Sequence, residues 1–154
     1  MTSTGTIRGI YVAAEQGAPM EPRESVRAVA GRGLEGDRYF DTEGTFTDRA
    51  GSDLTLIERE TLEAVERDDS IDLEDGIHRR NLTTEGVALN HLVGERFRVG
   101  EVICSGVERC EPCSYLEAHL EQQGVREALV HRGGLRARIL EDGVIRPGAA
   151  VERM

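Results

Sequence analysis

Alternating apolar and polar residues mark several short segments of the chain, and this period of two is typical of half-buried β-strands. Such segments lie at residues 6–13, 25–30, 53–57, 97–104, 135–140 and 144–151. Gly100-Glu101 divides one of them into the two arms of a predicted hairpin, and Asp142-Gly143 predicts a second hairpin between the last two segments. Short strands with frequent turns favour a mainly β domain that forms a closed or nearly closed barrel.

Helical spacing interrupts this pattern in two or three places. Apolar side chains recur three or four positions apart within residues 58–67 and 114–123, so we expect a short helix in each segment. Residues 87–94 predict a further short helix that ends at Gly94, with three inward-facing side chains: Leu89, Leu92 and Val93. The regular alternation of strands and long helices that a βαβ fold requires is missing from the pattern.

Length and charge narrow the class of protein. The 154 residues predict a single domain spanning 1–154. The first residues lack the apolar core of a signal peptide and no apolar run approaches the ~20 residues of a membrane span, so we expect no membrane contact and a cytoplasmic location. The net charge of -10 argues against nucleic-acid binding, which depends on basic side chains that neutralise phosphates.

All 19 basic residues are arginine, and lysine is absent from the sequence. An acidic, lysine-free surface suits a halophilic cytoplasm, in which salt screens the repulsion between carboxylates. The alternative explanation is GC-rich codon usage, which also replaces lysine with arginine. Either explanation concerns the environment of the protein and leaves its activity open.

Cys110 and Cys113 stand between an apparent strand and an apparent helix, separated by two residues. Cys113 is predicted to lie at the helix N-terminus, where free amide groups favour a thiolate. Four interpretations are open: a thioredoxin-like redox pair, a structural zinc site completed by Cys104 and His119, an inert pair, and a single thiolate that binds metal or carries sulfur.

Two other segments carry candidate chemistry. Residues 31–40 hold three glycines within six positions, which allows the backbone to approach a ligand closely, although an ordinary loop has the same composition. Residues 77–86 offer adjacent arginines, an amide and two hydroxyls, which are donors for a phosphate or other oxyanion unless the arginines only cover the surface. The histidines are scattered and we expect each to be structural or exposed: His78, His91, His119 and His131.

Together these segments resemble a stand-alone MOSC domain, the module named after the C-terminal part of molybdenum cofactor sulfurases. The resemblance is carried by pieces in the family's order, at residues 33–39, 54–65, 79–87, 89–97, 110–113 and 133–148. It implies a MOSC-type β-barrel with two or three short helices. It also implies a molybdenum cofactor (molybdopterin), in which a pterin dithiolene holds the metal.

The resemblance further implies roles for individual residues. Cys113 matches the protein ligand to molybdenum, and a soft thiolate suits a metal already bound to sulfur. Cys110 and Cys113 are the candidate catalytic residues, with the role of Cys110 open between a supporting thiol, a resolving cysteine and a packing residue. The residues that match contacts to the pterin and its phosphate are Arg38, Arg79, Asn81 and Thr83.

Three functions follow as hypotheses. The first is an oxidoreductase that reduces N-hydroxylated compounds, with electrons from a separate donor protein. The second is a sulfur carrier or cofactor-maturation factor that holds a persulfide on Cys110 or Cys113 and works with a cofactor-biosynthesis enzyme. The third is a module that stores the cofactor without turnover. Larger relatives enclose the cofactor with a preceding β-barrel region, so the site here is either more open or completed by a second subunit in a homodimer.

Overall fold

The computed structural model describes residues 4–15, 17–38, 40, 53–74, 76–110 and 124–154. The strands in chain order are β1 (Thr4–Val12), β2 (Glu21–Pro22), β3 (Val26–Val29), β4 (Gly33–Leu34), β5 (Leu54–Glu58), β6 (Leu82–Glu85), β7 (Arg96–Val99), β8 (Val102–Arg109), β9 (Leu135–Ile139), β10 (Gly143–Ile145) and β11 (Ala150–Arg153). The helices are α1 (Arg59–Asp69), a 3-10 helix (Leu89–Leu92) and α2 (Val125–Ala128).

Seven strands form a closed barrel. Their order is β1-β6-β5-β9-β8-β7-β11, and β11 pairs with β1 to complete the ring. The β5–β6 pair is parallel, because α1 and the loop after it carry the chain back before β6 begins. The β7–β8 hairpin turns at Gly100, whose φ of 59° is accessible to glycine at little cost. The predicted β-barrel is therefore confirmed.

A second, three-stranded sheet consists of β10, β3 and β4, and its presence corrects one prediction. The prediction of a hairpin at Asp142-Gly143 is wrong, because β9 pairs with β5 and β8 while β10 pairs with β3. Barrel closure occupies both edges of β9, so β10 finds its partner elsewhere. Asp142 instead accepts a hydrogen bond from the backbone N–H of Ala30 at 2.7 Å.

Two clusters of buried side chains stabilise the fold. The main core fills the barrel and includes Leu54 and Leu56 of β5. Ile57, which points to the opposite face of the same strand, packs outside the barrel in a second cluster with side chains of α1 and α2. Ile71 and Leu73 also belong to this second cluster, so the segment after α1 contributes buried side chains to the fold.

The predicted helices have mixed outcomes. Residues 58–67 were expected to be helical and α1 confirms this, ending at Ser70 in the left-handed conformation. The short helix near residue 90 is a 3-10 helix with Leu89 and Leu92 buried, but Val93 is 39% exposed, so its inward orientation is wrong. Val93 lies past the helix in an extended bridge to Gly106. The helix predicted at residues 114–123 lies outside the described residues.

Within the described parts of the chain, no helix is long and apolar enough to cross a membrane.

Candidate functional site

The candidate site lies on the outer face of the barrel wall, beside β9, β5 and β6. Leu54 and Leu56 point into the barrel core, so the intervening Thr55 points outward. Thr55 is directly opposite Arg136 of β9, and side chains opposite each other in an antiparallel pair share one face. The turn at residues 77–81, which leads into β6, lies beside this face because Asn81 bonds to Thr55.

Asn81 fastens this turn to two strands. Its side-chain Oδ1 accepts hydrogen bonds from the N–H and the hydroxyl of Thr55, both at 3.1 Å. Its Nδ2 donates to the backbone carbonyl of Tyr11 in β1 at 3.1 Å. The residue is completely buried. Asn81 therefore fixes the backbone of the turn, and every polar atom of its side chain has a protein partner.

Arg38 and Arg79 meet at one side of the turn. Nη2 of Arg38 donates a hydrogen bond to the backbone carbonyl of Arg79 at 3.3 Å. The other nitrogen of the Arg38 fork donates to Asp37 at 3.1 Å and approaches the sulfur of Met20 at 3.5 Å. Arg79 itself donates to the carbonyl of Ala18 at 2.7 Å and has a φ of 63°, which is uncommon for a residue with a side chain. The loop after β4 and the turn before β6 thus come together here.

Asp37 supports the contact between Arg38 and Arg79. Its Oδ1 accepts a hydrogen bond from the backbone N–H of Ala13 at 3.0 Å, in addition to the bond from Arg38. Gly36 precedes it with a φ of 87°, so one of the glycines singled out in the sequence does allow a conformation that other residues rarely adopt.

Arg80 occupies the other side of the turn. Its guanidinium donates to three backbone carbonyls, those of Gly133 at 2.9 Å, His78 at 3.0 Å and Cys110 at 3.2 Å. The adjacent arginines of the sequence therefore point to different partners.

His78 is a neutral residue inside the same turn. The backbone N–H of Arg80 donates to Nδ1 at 2.9 Å, so Nδ1 is the acceptor and the ring proton belongs to Nε2. Nε2 lies 3.4 Å from the hydroxyl of Thr83, which therefore accepts from the ring and keeps its own proton to donate. Burial, with a smaller contribution from the Arg80 charge, lowers the pKa of His78 from 6.5 to about 3. The expectation of a structural histidine is confirmed for this position.

The cysteines differ in their surroundings. Cys104 lies in β8 inside the main core, where burial and then the nearby Asp53 charge raise the pKa of its thiol to about 12. Cys110 follows the end of β8 and is 4% exposed. Its backbone N–H donates to the carbonyl of Gly134 at 2.7 Å. Cys113 lies outside the described residues, and the part of the chain that is described holds no group of three or more acidic, histidine or cysteine side chains that could bind a metal.

The buried charges in this region are mostly positive, although the net charge of the protein is negative. Among the described residues that are buried, the charged side chains are one aspartate and four arginines: Asp37, Arg38, Arg79, Arg80 and Arg136. Arg136 has a carboxylate partner in the half-exposed Glu108, but the separation is 3.7 Å. Among the described residues of a chain with a formal charge of -10, buried arginines therefore outnumber buried carboxylates. Such an excess favours an anionic ligand.

The structure brings together the predicted residues Arg38, Arg79, Asn81, Thr83 and Cys110 around this one turn. The sequence reasoning missed Arg136 and Asp37. Arg136 sits in a segment that was predicted as an ordinary strand, and only the pairing of β9 with β5 brings it beside Thr55. Asp37 precedes Arg38 directly, and a carboxylate next to an arginine gives little sign of burial in the sequence alone.

Comparison with known proteins identifies the family. Residues 43–152 match the MOSC domain, which is more than half of the chain. The chain therefore belongs to the MOSC domain family. The match includes Arg79, Asn81, Thr83 and the cysteine pair, whereas Arg38 precedes it. No match was found among curated proteins.

Solved structures share the fold. The YuaD protein from Bacillus subtilis superposes with a TM-score of 0.78 at 14% identity, over 99% of this chain and 97% of that one. YiiM from Geobacillus stearothermophilus gives 0.74 at 17% identity over 97% and 75% of the two chains. YiiM from Escherichia coli gives 0.66 at 18% identity over 100% and 70%. At these identities the likeness concerns the fold.

Proposed function

We propose that this MOSC domain binds the molybdenum cofactor beside the turn at residues 77–81 and reduces N-hydroxylated compounds to amines. MOSC domains are associated in general with binding of this cofactor. The observation that carries the proposal is the buried group of arginines, because the cofactor's phosphate is an anion and the protein is otherwise acidic.

The donor groups fit the phosphate end of such a cofactor. Arg38 and Arg79 are both less than a tenth exposed and are joined through the Arg79 carbonyl. Thr83 adds a hydroxyl that retains its proton because His78 donates to its oxygen. Asn81 contributes by holding the turn, since its amide is engaged with Thr55 and Tyr11. We assign direct contact with the anion to Arg38, Arg79 and Thr83, and support of the backbone to Asn81.

The metal end is assigned to Cys113. It follows Cys110 by three residues, so the chain limits the distance between their Cα atoms to about 11 Å. A thiolate is the ligand type that molybdenum accepts beside dithiolene sulfur. Cys110 is 4% exposed, which suits a packing or supporting thiol better than a group that must reach a substrate.

When bound, the cofactor would supply the two-electron chemistry that breaks the N–O bond. The overall change is R–NHOH plus two electrons and two protons to R–NH2 and water. The electrons come from a separate donor protein, because the sequence carries no motif for flavin, haem or an iron–sulfur cluster. The part played by this chain is to bind the anion, orient the cofactor and provide the thiolate.

A turnover assay tests the proposal. The protein is purified from a host that makes the cofactor and is mixed with a hydroxylamino purine or an amidoxime and a chemically reduced viologen dye. Amine should form with the wild type and with Cys104→Ala, whose side chain lies in the barrel core, and should not form with Cys113→Ala.

Three other results would redirect the proposal. Full activity in Cys113→Ala would contradict the ligand assignment. Cofactor bound without any turnover would favour storage, and absence of cofactor together with a +32 Da adduct on Cys113 after treatment with a cysteine desulfurase would favour sulfur transfer.

A further inference from the structure

We propose that Arg80 is a positioning residue that locks the start of the cysteine segment to the turn at residues 77–81. The inference rests on the function proposed above, because it assigns a part to a residue of the same site. It also separates the two adjacent arginines, since Arg79 is assigned to the anion whereas Arg80 is assigned to the protein backbone.

The three hydrogen bonds of Arg80 reach three separate segments. Nε donates to Gly133 before β9, Nη1 donates to His78 within the turn, and Nη2 donates to Cys110 after β8. A guanidinium is a rigid planar fork, so bonds from three of its nitrogens fix the relative positions of the carbonyls they reach. Lysine, with one nitrogen on a flexible stem, cannot span the same three acceptors.

Cys110 is held at both of its backbone groups. Its carbonyl accepts from Arg80 and its N–H donates to Gly134 at 2.7 Å. Gly133 and Gly134 are neighbours, so Arg80, this glycine pair and Cys110 form a closed ring of contacts. The ring has no spare room at Gly134, where an added Cβ would lie 2.0 Å from the carbonyl oxygen of Leu56. The chain therefore leaves Cys110 from a fixed point.

Bonding argues against the anion as the partner of Arg80. Each of its three guanidinium nitrogens already donates to a backbone carbonyl. Carbonyl oxygens satisfy N–H groups without cancelling the charge, so Arg80 still contributes positive potential to the site from a distance.

The test compares Arg80→Lys with Val151→Ala, a core substitution in β11 that destabilises the barrel away from the turn. Both are made in the Cys113→Ala background, which removes any contribution from bound cofactor, and alkylation by iodoacetamide is followed at Cys110 by peptide mass spectrometry, because Cys104 is still present. We expect Cys110 to be alkylated about tenfold faster or more in Arg80→Lys, because a charge-assisted bond to its carbonyl is lost. Val151→Ala should change the rate of Cys110 alkylation much less when the two variants are compared equally far below their melting temperatures. Equal acceleration in the two variants would overturn the proposal.

The same two substitutions in the chain that retains Cys113 give a second readout. Supporting residues around a metal ligand commonly affect metal affinity 10- to 100-fold, so Arg80→Lys should bind the molybdenum cofactor at least about tenfold more weakly than Val151→Ala. If the wild type binds no cofactor while Cys110 still becomes reactive in Arg80→Lys, the proposed function fails and the positioning role stands. If cofactor affinity and Cys110 reactivity are both unchanged, the positioning role fails and the proposed function stands.

Should Arg80→Lys fail to fold, hydrogen exchange in the wild type tests the premise that the chain is held at Cys110. The Cys110 amide should exchange as slowly as the amides paired between β8 and β9. Exchange at the rate of an unstructured peptide would show that Cys110 is not held, and would overturn the proposal.

Discussion

Acid should weaken this fold through His78. The ring is completely buried, accepts a hydrogen bond at Nδ1 from the Arg80 amide, and has a pKa lowered to about 3 by burial first and the Arg80 charge second. The unfolded chain takes up a proton on this ring below pH 6.5, whereas the folded protein does so only near pH 3. The contribution of His78 to the free energy of unfolding is therefore complete above pH 6.5 and is lost as the pH falls from 6.5 toward 3.

The size of the effect follows from the same two pKa values. A histidine that stays neutral in the folded state costs about 1.4 kcal/mol per pH unit once the solution is well below pH 6.5. Between pH 7 and pH 5 the loss amounts to about 2 kcal/mol in the free energy of unfolding. The other titrating groups add their own pH dependence, so the measured quantity is the difference between the wild type and a variant that lacks this ring.

The variant is His78→Asn, whose side-chain oxygen can take the place of Nδ1 as the acceptor for the Arg80 amide. Urea unfolding at pH 7 and pH 5 gives the free energies. The smaller side chain lowers stability at both pH values, but the wild type should lose about 2 kcal/mol more than the variant between them. His131→Asn is the control, because the residue is exposed, asparagine tolerates its φ of 62°, and His78 is still present. Parallel losses in the wild type and His78→Asn would refute the reasoning.

Three further predictions concern the frame of the site and the surface. Gly134→Ala should lower the free energy of unfolding by about 3 kcal/mol or more, because its Cβ would meet the Leu56 carbonyl at 2.0 Å. Gly148→Ala should cost only about 1 kcal/mol of backbone strain. Thermal unfolding compares the two variants, and equal costs would contradict the contact at Gly134. Asn81→Ala should cost about 2–4 kcal/mol in urea unfolding because it removes the bonds to Thr55 and Tyr11, and a loss no larger than that of the exposed Asn90→Ala would argue against the role of Asn81. Raising salt from 0.1 M to 2 M should raise the melting temperature, since screening relieves the repulsion in a chain of charge -10; a lower melting temperature would count against the halophilic interpretation.

Local patterns predicted the elements well, and the pairing of distant elements less well. The alternation in β1 and β3, the glycine turn between β7 and β8 and the helical spacing of α1 are all properties of neighbouring residues. The failed hairpin at Asp142-Gly143 has a different cause. Its turn chemistry is correct, but whether β9 pairs with β10 depends on β5 and β8, which already occupy both edges of β9. Such competition for an edge is not visible in a local pattern.

For the site too, local patterns predicted individual residues better than their partners. The donors in residues 77–86 stood out in the sequence pattern, Arg38 was implied by the family resemblance, and the structure brings them together. The sequence could not assign different partners to the adjacent Arg79 and Arg80, because their chemistry is identical and only the fold separates them. Arg136 was missed for a related reason, since its place beside Thr55 arises from strand register.

The proposal that Cys113 holds molybdenum is tested by the metal and pterin content of the protein purified at high salt from a cofactor-producing host. Cys104→Ala is the matched control, because it removes a thiol that lies in the barrel core. We predict nearly stoichiometric molybdenum and pterin in the wild type and in Cys104→Ala, and almost none in Cys113→Ala. Equal metal content in all three proteins, or none in any of them after reconstitution with free cofactor, would contradict the proposal.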